Sequence, residues 1–220
     1  MCKAYGMYIL RDEGKQDSMG FFERLFSKRT DDSIANLTQQ QHREQFPQKY
    51  KTVHMVVDEQ LINAKDVQGV IEPLWWSVSI YDGEGQYEED LQPFTRPQRY
   101  VFAIQWYVAE VNNGGHCQFY DNSTGIVWED AMRGFEAIGA QKNADIIKES
   151  AGRMGGNPSK DREKRQEQLE NIDPSLADLD DLDRMYYESE ADMMELLYTY
   201  IRENAKDFIF SGKVTVPISR

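Results

Sequence analysis

Cysteine is nearly absent from this sequence, and histidine is scarce. Cys2 and Cys117 are the only cysteines in 220 residues; they are too few for a disulfide framework and lie far apart, a usage typical of a reducing compartment. The three histidines, His42, His54 and His116, show no zinc-ligand spacing such as His-Glu-x-x-His. The sequence therefore indicates neither a disulfide-stapled fold nor a metal site, and we expect no cofactor.

Long hydrophobic runs and positive charge are also lacking. No run of about 18 apolar residues predicts a membrane span, and charged residues interrupt any apolar core that a signal peptide would need. Lysine and arginine number 25 against 38 aspartates and glutamates, a formal charge of -13. Such a charge argues against binding to nucleic acid or to an anionic membrane, because both would repel the protein. We expect a cytoplasmic protein whose partners are basic.

What is present favours a helical core. Hydrophobic residues make up 40% of the chain and aromatic residues 12%, enough for one substantial core. Apolar residues recur at helical spacing over residues 100–111, and the glycines and asparagines of residues 112–115 predict the end of that helix. The same periodicity predicts helices over residues 127–138 and 143–151 and, from about Ile71 to Ile80, a helix with Pro73 in its first turn.

We therefore predict an all-α fold, a compact multi-helix bundle with at most a short extended or β segment near the C-terminus, at Val214–Val216. Residues 1–50 are expected to be poorly ordered or peripheral, with short amphipathic helices at 19–29 and 31–46, and residues 51–220 to form the helical domain. Gly152 to Pro158 is the clearest internal break. The basic segment 159–169 that follows it should be almost entirely solvated.

The sequence offers little catalytic chemistry. Gly114-Gly115 and Gly155-Gly156 lack the lysine and hydroxyl residue of a phosphate-binding loop and are interpreted as helix stops. Residues 118–122 are interpreted as a polar loop whose side chains bond to the loop's own backbone. His116 beside Cys117 is more typical of loop packing than of a site. An enzyme built on this loop would instead need a deep polar pocket lined by Glu110, His116, Gln118 and Asn122.

Acidic residues are concentrated toward the C-terminus. Nine carboxylates occur between residues 173 and 195 against a single Arg184. They are Asp173, Asp178, Asp180, Asp181, Asp183, Glu188, Glu190, Asp192 and Glu195. One continuous helix would place most of them opposite an apolar face, whereas a new N-cap at Ser189 would give two helices. Either arrangement leaves an acidic outer surface, which is ordinarily just a solvated helix face.

Several blocks of this sequence resemble the DNA-mimic protein 19 family. The central block is FAIQWYVAEVNNGGHCQFYDNSTGIVWEDAMRGFEAIGA, with WWSVSIYDG and YEEDL before it and YIRENAKDFIFSG after it. The resemblance covers roughly Ile71 to Val216 and is centred on residues 110–115 and 118–123. Its signature residues, which we expect to be structural, are Asn112, Asn113, Gly114, Gly115, Gln118 and Asn122.

The resemblance implies a helical, often dimeric protein that is not an enzyme. In that family, carboxylates stand in for DNA phosphates and occupy the DNA-binding faces of a transcription factor and a histone-like protein. The implied function here is an acidic binding protein whose surface is the cluster between residues 173 and 195, with Glu88, Glu89 and Asp90 as possible contributors. Two alternatives stay open. They are an immunity-type protein that recognises one partner through an apolar patch, and an enzyme.

Overall fold

The computed structural model describes residues 50–173, 175–176 and 179–218. Within this part of the chain the fold is an all-α bundle with one two-stranded sheet, so the predicted fold class is confirmed. The elements are β1 (Tyr50–Val57), α1 (Glu59–Asn63), α2 (Val67–Ser77), α3 (Gly83–Leu91), α4 (Arg96–Asp121), a 3-10 turn (Ser123–Val127), α5 (Trp128–Ala137), α6 (Gln141–Arg153), α7 (Arg162–Glu170), α8 (Asp180–Glu203), α9 (Ala205–Phe208) and β2 (Phe210–Pro217). The expectations for residues 1–49 and for Asp178 lie outside the described residues.

The sheet joins the first and last elements of the described chain. β1 and β2 pair in antiparallel register, with Val53 opposite Val214 and Val57 opposite Phe210. Val57 and Val214 are buried, and alternate residues of both strands face away from the core. The predicted C-terminal strand is confirmed, but its partner β1 was not predicted. The alternation of Val53, Met55 and Val57 was the available signal.

Helix α4 lies at the centre of the bundle and contacts α2, α5, α7 and α8. It begins with a capping box: the Thr95 hydroxyl accepts from the Gln98 backbone N–H, and the Gln98 side-chain oxygen accepts from the Thr95 N–H at 2.9 Å. Residues 101–107 are all buried. The predicted core helix is therefore confirmed.

The end of that helix differs from the prediction. Gly114 and Gly115 leave helical geometry, with φ 71° and ψ −175° at Gly115, but the chain at once resumes a helix that continues to Asp121. The glycine pair is thus a kink inside α4. The prediction of a polar loop over residues 118–122 is wrong, because helical structure reaches Asp121 and only Asn122 adopts extended geometry.

Helix α8 is one continuous helix of 24 residues. Ser189 does not start a second helix: its hydroxyl donates to the Tyr186 carbonyl at 2.9 Å and accepts from the Asn143 side chain at 3.0 Å. The buried face of α8 follows the predicted spacing for most of its length. Its members are Leu182, Tyr186, Ser189, Met193, Leu197 and Ile201.

Of three further predictions, one is confirmed and two need correction. Helix α2 starts at Val67, capped by Asp66, and ends at Ser77, so Pro73 lies inside the helix and not in its first turn. Helices α5 and α6 appear as predicted, with Gly139 at φ 80° after α5. The expected solvation of residues 159–169 is wrong at Arg165, which is 0% exposed.

No helix among the described residues is long and apolar enough to cross a membrane.

Cys117 is half-buried against the core and is not a free thiol. The low cysteine count is therefore not by itself an argument for a reducing compartment.

Candidate partner-binding surface

The kink of α4 is the place where α8 is attached. The Asp183 carboxylate accepts the His116 backbone N–H at 2.9 Å and also pairs with the His116 ring nitrogen Nδ1. A Cβ atom on Gly115 would lie 2.1 Å from Asp183 Oδ2, so only glycine allows this approach. The φ of Gly115 is likewise accessible mainly to glycine. The glycine pair thus allows a carboxylate of α8 to approach the backbone of α4 closely.

The ring of His116 continues the connection into the core. Its Nε2 lies 2.6 Å from the Tyr107 hydroxyl, and Tyr107 packs edge-on against Phe119, Phe135 and Tyr186. Burial raises the pKa of Tyr107 well above its usual value, so its hydroxyl stays protonated. Tyr107 and His116 are each 0% exposed. The chain of Asp, His and Tyr groups therefore holds α8 on α4, with its His116 and Tyr107 members inside the core.

Two more of the signature residues, Gln118 and Asn122, converge on Glu110. This carboxylate is 0% exposed and accepts the Gln118 amide at 2.7 Å and the Asn122 amide at 3.0 Å. A buried carboxylate needs such donors because its desolvation is costly. Gln118 and Asn122 thus bond to a side chain across the kink, and not to their own backbone as predicted. They bind the two halves of α4 to each other.

Arg165 secures the C-terminal end of α4. Its guanidinium donates to the carbonyls of Tyr120 (2.8 Å), Asn122 (2.6 Å) and Ser159 (2.7 Å). Burial lowers the pKa of Arg165 to about 10, which leaves it charged at neutral pH and suited to the negative end of the helix dipole. A Cβ atom on Gly125 would lie 2.4 Å from Arg165 Nε, so that glycine makes room for the side chain.

Asp181 and Glu190, like Asp183, are hydrogen-bonded to side chains of other helices. Arg153 donates to both oxygens of Asp181 at 2.7 Å, and these hydrogen bonds lower the pKa of Asp181. Glu190 accepts the Asn112 side-chain amide at 2.6 Å. Together with Asp183, these groups position α8 and are not free to receive a partner.

Three carboxylates form what we call the acidic row: Glu188, Asp192 and Glu195. All three are exposed on α8. Lys142 lies 3.9 Å from Glu188 and Lys65 lies 3.2 Å from Glu195, but both are solvent-exposed pairs, which contribute little and exchange easily. No basic side chain of the described residues lies within ion-pair distance of Asp192. The acidic row therefore keeps most of its negative charge toward solvent.

The other predicted carboxylates differ in placement. Asp180 is exposed at the start of α8, and Asp173 is exposed before it, where Ser175 donates to its carboxylate and lowers its pKa. Glu203, which was not predicted, is exposed at the C-terminal end of α8. Its signal in the sequence was the continuation of the same helical pattern beyond residue 195.

The second acidic group, on α3, is largely neutralised. Glu88 accepts two hydrogen bonds of 2.7 Å from Arg99, which lower its pKa, and a third from Lys160. Asp90 accepts the Ser79 N–H at 2.9 Å. Only Glu89 of the three is exposed without such a contact among the described residues. This group thus lies on a different helix from the acidic row, and its negative charge is compensated more fully.

No group of three or more histidine, cysteine, aspartate or glutamate side chains in the described ranges is arranged to share a metal ion. His116, Glu110, Gln118 and Asn122, the residues that an enzyme built on this segment would need around a pocket, lie around the kink. They bond to one another or to α8, and Glu110 and His116 are fully buried.

Comparison with known proteins gives one match. A family model described as DMP19-like protein matches residues 92–204, just over half of the chain. The matched range is narrower than the resemblance over residues 71–216, and it contains the kink of α4 and the whole of the acidic helix α8. No curated protein and no solved structure matches.

Proposed function

The chain belongs to the DMP19-like protein family, and on that basis we propose that it is an acidic binding protein that occupies the DNA-binding surface of a basic protein. The partner class is a transcription factor or a histone-like protein. The proposal places the protein in the cytoplasm, where such partners bind DNA, and assigns it a binding role and not a catalytic one.

One observation carries the proposal: the acidic row lies on α8, a helix whose other face is buried in the core. A DNA-binding protein gains much of its affinity by neutralising phosphates with lysine and arginine. Exposed carboxylates that are held on a rigid helix compete for those cations without first losing much conformational entropy. The buried face of α8 and the pairing of Asp183 with His116 supply that rigidity.

The spacing of the acidic row sets an expectation for strength. Glu188, Asp192 and Glu195 rise along α8 by about 6 and then about 4.5 Å. One strand of duplex DNA carries a charge about every 3.4 Å. The row is sparser than a DNA strand, so we expect it to bind the same basic surfaces more weakly than DNA, charge for charge.

The proposal is tested by displacement of DNA from a purified histone-like protein. The protein is titrated into a complex of the histone-like protein with a short fluorescent duplex, and release of the duplex is followed by anisotropy. We expect release by the wild-type chain and much less release by the triple variant Glu188→Gln, Asp192→Asn, Glu195→Gln.

A matched control removes the same charge elsewhere. Glu163, Glu167 and Glu170 are exposed on α7 with the same spacing as the acidic row. Changing all three to glutamine should leave the displacement almost unchanged. Equal losses in the two triple variants would mean that total charge and not the acidic row is responsible. Failure of the wild-type chain to displace DNA would reject the proposal.

The specific-interaction alternative makes a different prediction for salt. Binding through an apolar patch survives at high ionic strength, whereas binding through the acidic row weakens steadily as salt rises. A homodimer, the assembly that the family resemblance suggests, is checked separately by sedimentation of the free protein.

A further inference from the structure

The outer face of α8 also carries two large apolar side chains. Met185 is 42% exposed and Leu196 is 38% exposed. Residues three and four apart are neighbours on a helix, so Met185 adjoins Asp181 and Glu188, and Leu196 adjoins Asp192. Single exposed hydrophobic residues are common on proteins and need no explanation. Met185 and Leu196 differ from such isolated residues in their positions relative to each other on α8.

Helical geometry places the two side chains on one line. Met185 and Leu196 are eleven residues apart, which is about three turns, or about 16 Å along the axis. Asp192 lies between them along the axis, about 20° around the helix from Met185 and about 40° from Leu196, and Glu188 and Glu195 lie further round on the same side. We call this set the mixed stripe: Met185, Glu188, Asp192, Glu195 and Leu196. It presents apolar contacts at two points beside the acidic row.

We infer that the mixed stripe docks a basic amphipathic helix of the partner, one whose apolar side chains contact Met185 and Leu196 while its lysines and arginines pair with the acidic row. This inference rests on the proposed function and names the kind of partner segment. Pure charge mimicry needs no exposed methionine or leucine, because phosphate groups offer no apolar counterpart. The two side chains add contacts that salt does not screen.

Charge selects this occupant over a second copy of the chain. In a two-fold dimer through α8, the same patch would face itself, so the acidic rows of the two copies would be brought together. Like charges at such an interface are unfavourable. A cationic helix instead satisfies the carboxylates and covers both apolar side chains, since its own residues three and four apart lie on one face.

The test uses two synthetic peptides of equal charge. One is a lysine-leucine peptide that forms an amphipathic helix with leucines about three turns apart, and the other has serine in place of those leucines. Binding of the full-length protein to each is measured by calorimetry at low and at high salt. We expect the leucine peptide to bind more tightly and to keep its advantage at high salt.

Protein variants then locate the contact. Changing Met185 and Leu196 to serine should weaken binding of the leucine peptide by about five- to tenfold for each side chain and leave the serine peptide unaffected. Both residues are exposed, so the fold should be retained, as checked by thermal unfolding. Ile209→Ser, at a side chain that is 50% exposed outside α8, is the matched control and should change nothing.

The outcomes separate the two proposals. If the wild-type protein binds neither peptide at low salt, the proposed function itself is rejected. If it binds both peptides equally, or if the Met185 and Leu196 variant keeps the difference between them, binding is electrostatic and the inference is overturned. If that variant changes only the sedimentation of the free protein, the two side chains belong to a self-association interface and the inference is likewise overturned.

Discussion

Replacing Gly115 by alanine tests the attachment of α8 to α4 in the most direct way. Alanine must adopt φ 71° and ψ −175°, a region that costs a residue with a side chain about 1 to 3 kcal/mol. Its Cβ would also lie 2.1 Å from Asp183 Oδ2. If Asp183 moves and loses one of its hydrogen bonds to His116, about 1.5 to 3 kcal/mol more is lost. We expect a total destabilisation of about 3 to 5 kcal/mol.

The assay is equilibrium unfolding by urea together with thermal unfolding. For a chain of this size the expected loss corresponds to a fall in Tm of about 6 to 20 °C. Gly152→Ala is the control, because Gly152 lies in α6 at negative φ with no atom near enough to meet a Cβ. There alanine should be neutral or stabilise the helix by up to about 1 kcal/mol.

A double-mutant cycle identifies the cause of the loss. Asp183→Ala removes the close contact with a Cβ atom on residue 115 but leaves the backbone strain at residue 115. The double variant should therefore cost less than the sum of the single variants, by about 1.5 to 3 kcal/mol. If Gly115→Ala is as harmless as Gly152→Ala, or if the two substitutions are strictly additive, the close approach of Asp183 to the kink is not what requires glycine.

Two other predictions concern buried and paired charges. Arg165→Met removes a guanidinium that donates to three backbone carbonyls, so unfolding by urea should show a loss of about 3 to 5 kcal/mol. Lys164→Met, at the exposed neighbouring position, should change the stability by no more than about 0.5 kcal/mol. Equal effects of the two substitutions would contradict the anchoring role of Arg165. Arg153 lowers the pKa of Asp181 in the folded protein. The stability that this ion pair contributes is therefore present above the ordinary carboxyl pKa of about 4 and is lost as the pH falls through the lowered pKa of Asp181. Asp181→Asn should flatten that acid decline in unfolding measurements, and an unchanged pH dependence would contradict it.

The sequence predicts the helices well where the determinants are local. The capping box at Thr95 and Gln98 and the apolar periodicity after it define α4 from neighbouring residues alone. The behaviour of Gly114 and Gly115 is not local. Glycine pairs ordinarily stop helices, but here Asp183, 67 residues away from His116, bonds to the kink and the helix resumes. No pattern within residues 112–122 contains that information.

The candidate site is predictable as a region but not residue by residue. Counting charges marks residues 173–195 as acidic, yet it cannot show which carboxylates are neutralised within the fold. Asp181 pairs with Arg153 from α6, and Asp183 pairs with His116 from α4. Arg165 illustrates the same limit, because it is buried within a segment that reads as fully polar. These assignments depend on tertiary contacts between distant segments.

The salt dependence of binding to a histone-like protein tests the central claim most directly. The affinity of the wild-type chain should fall steeply and linearly on a plot of log affinity against log salt concentration. Neutralising Glu188, Asp192 and Glu195 should make that slope shallower, while neutralising Glu163, Glu167 and Glu170 on α7 should leave it as in the wild type. Affinity that is independent of salt, or slopes that change equally in the two variants, would contradict a binding surface formed by the acidic row.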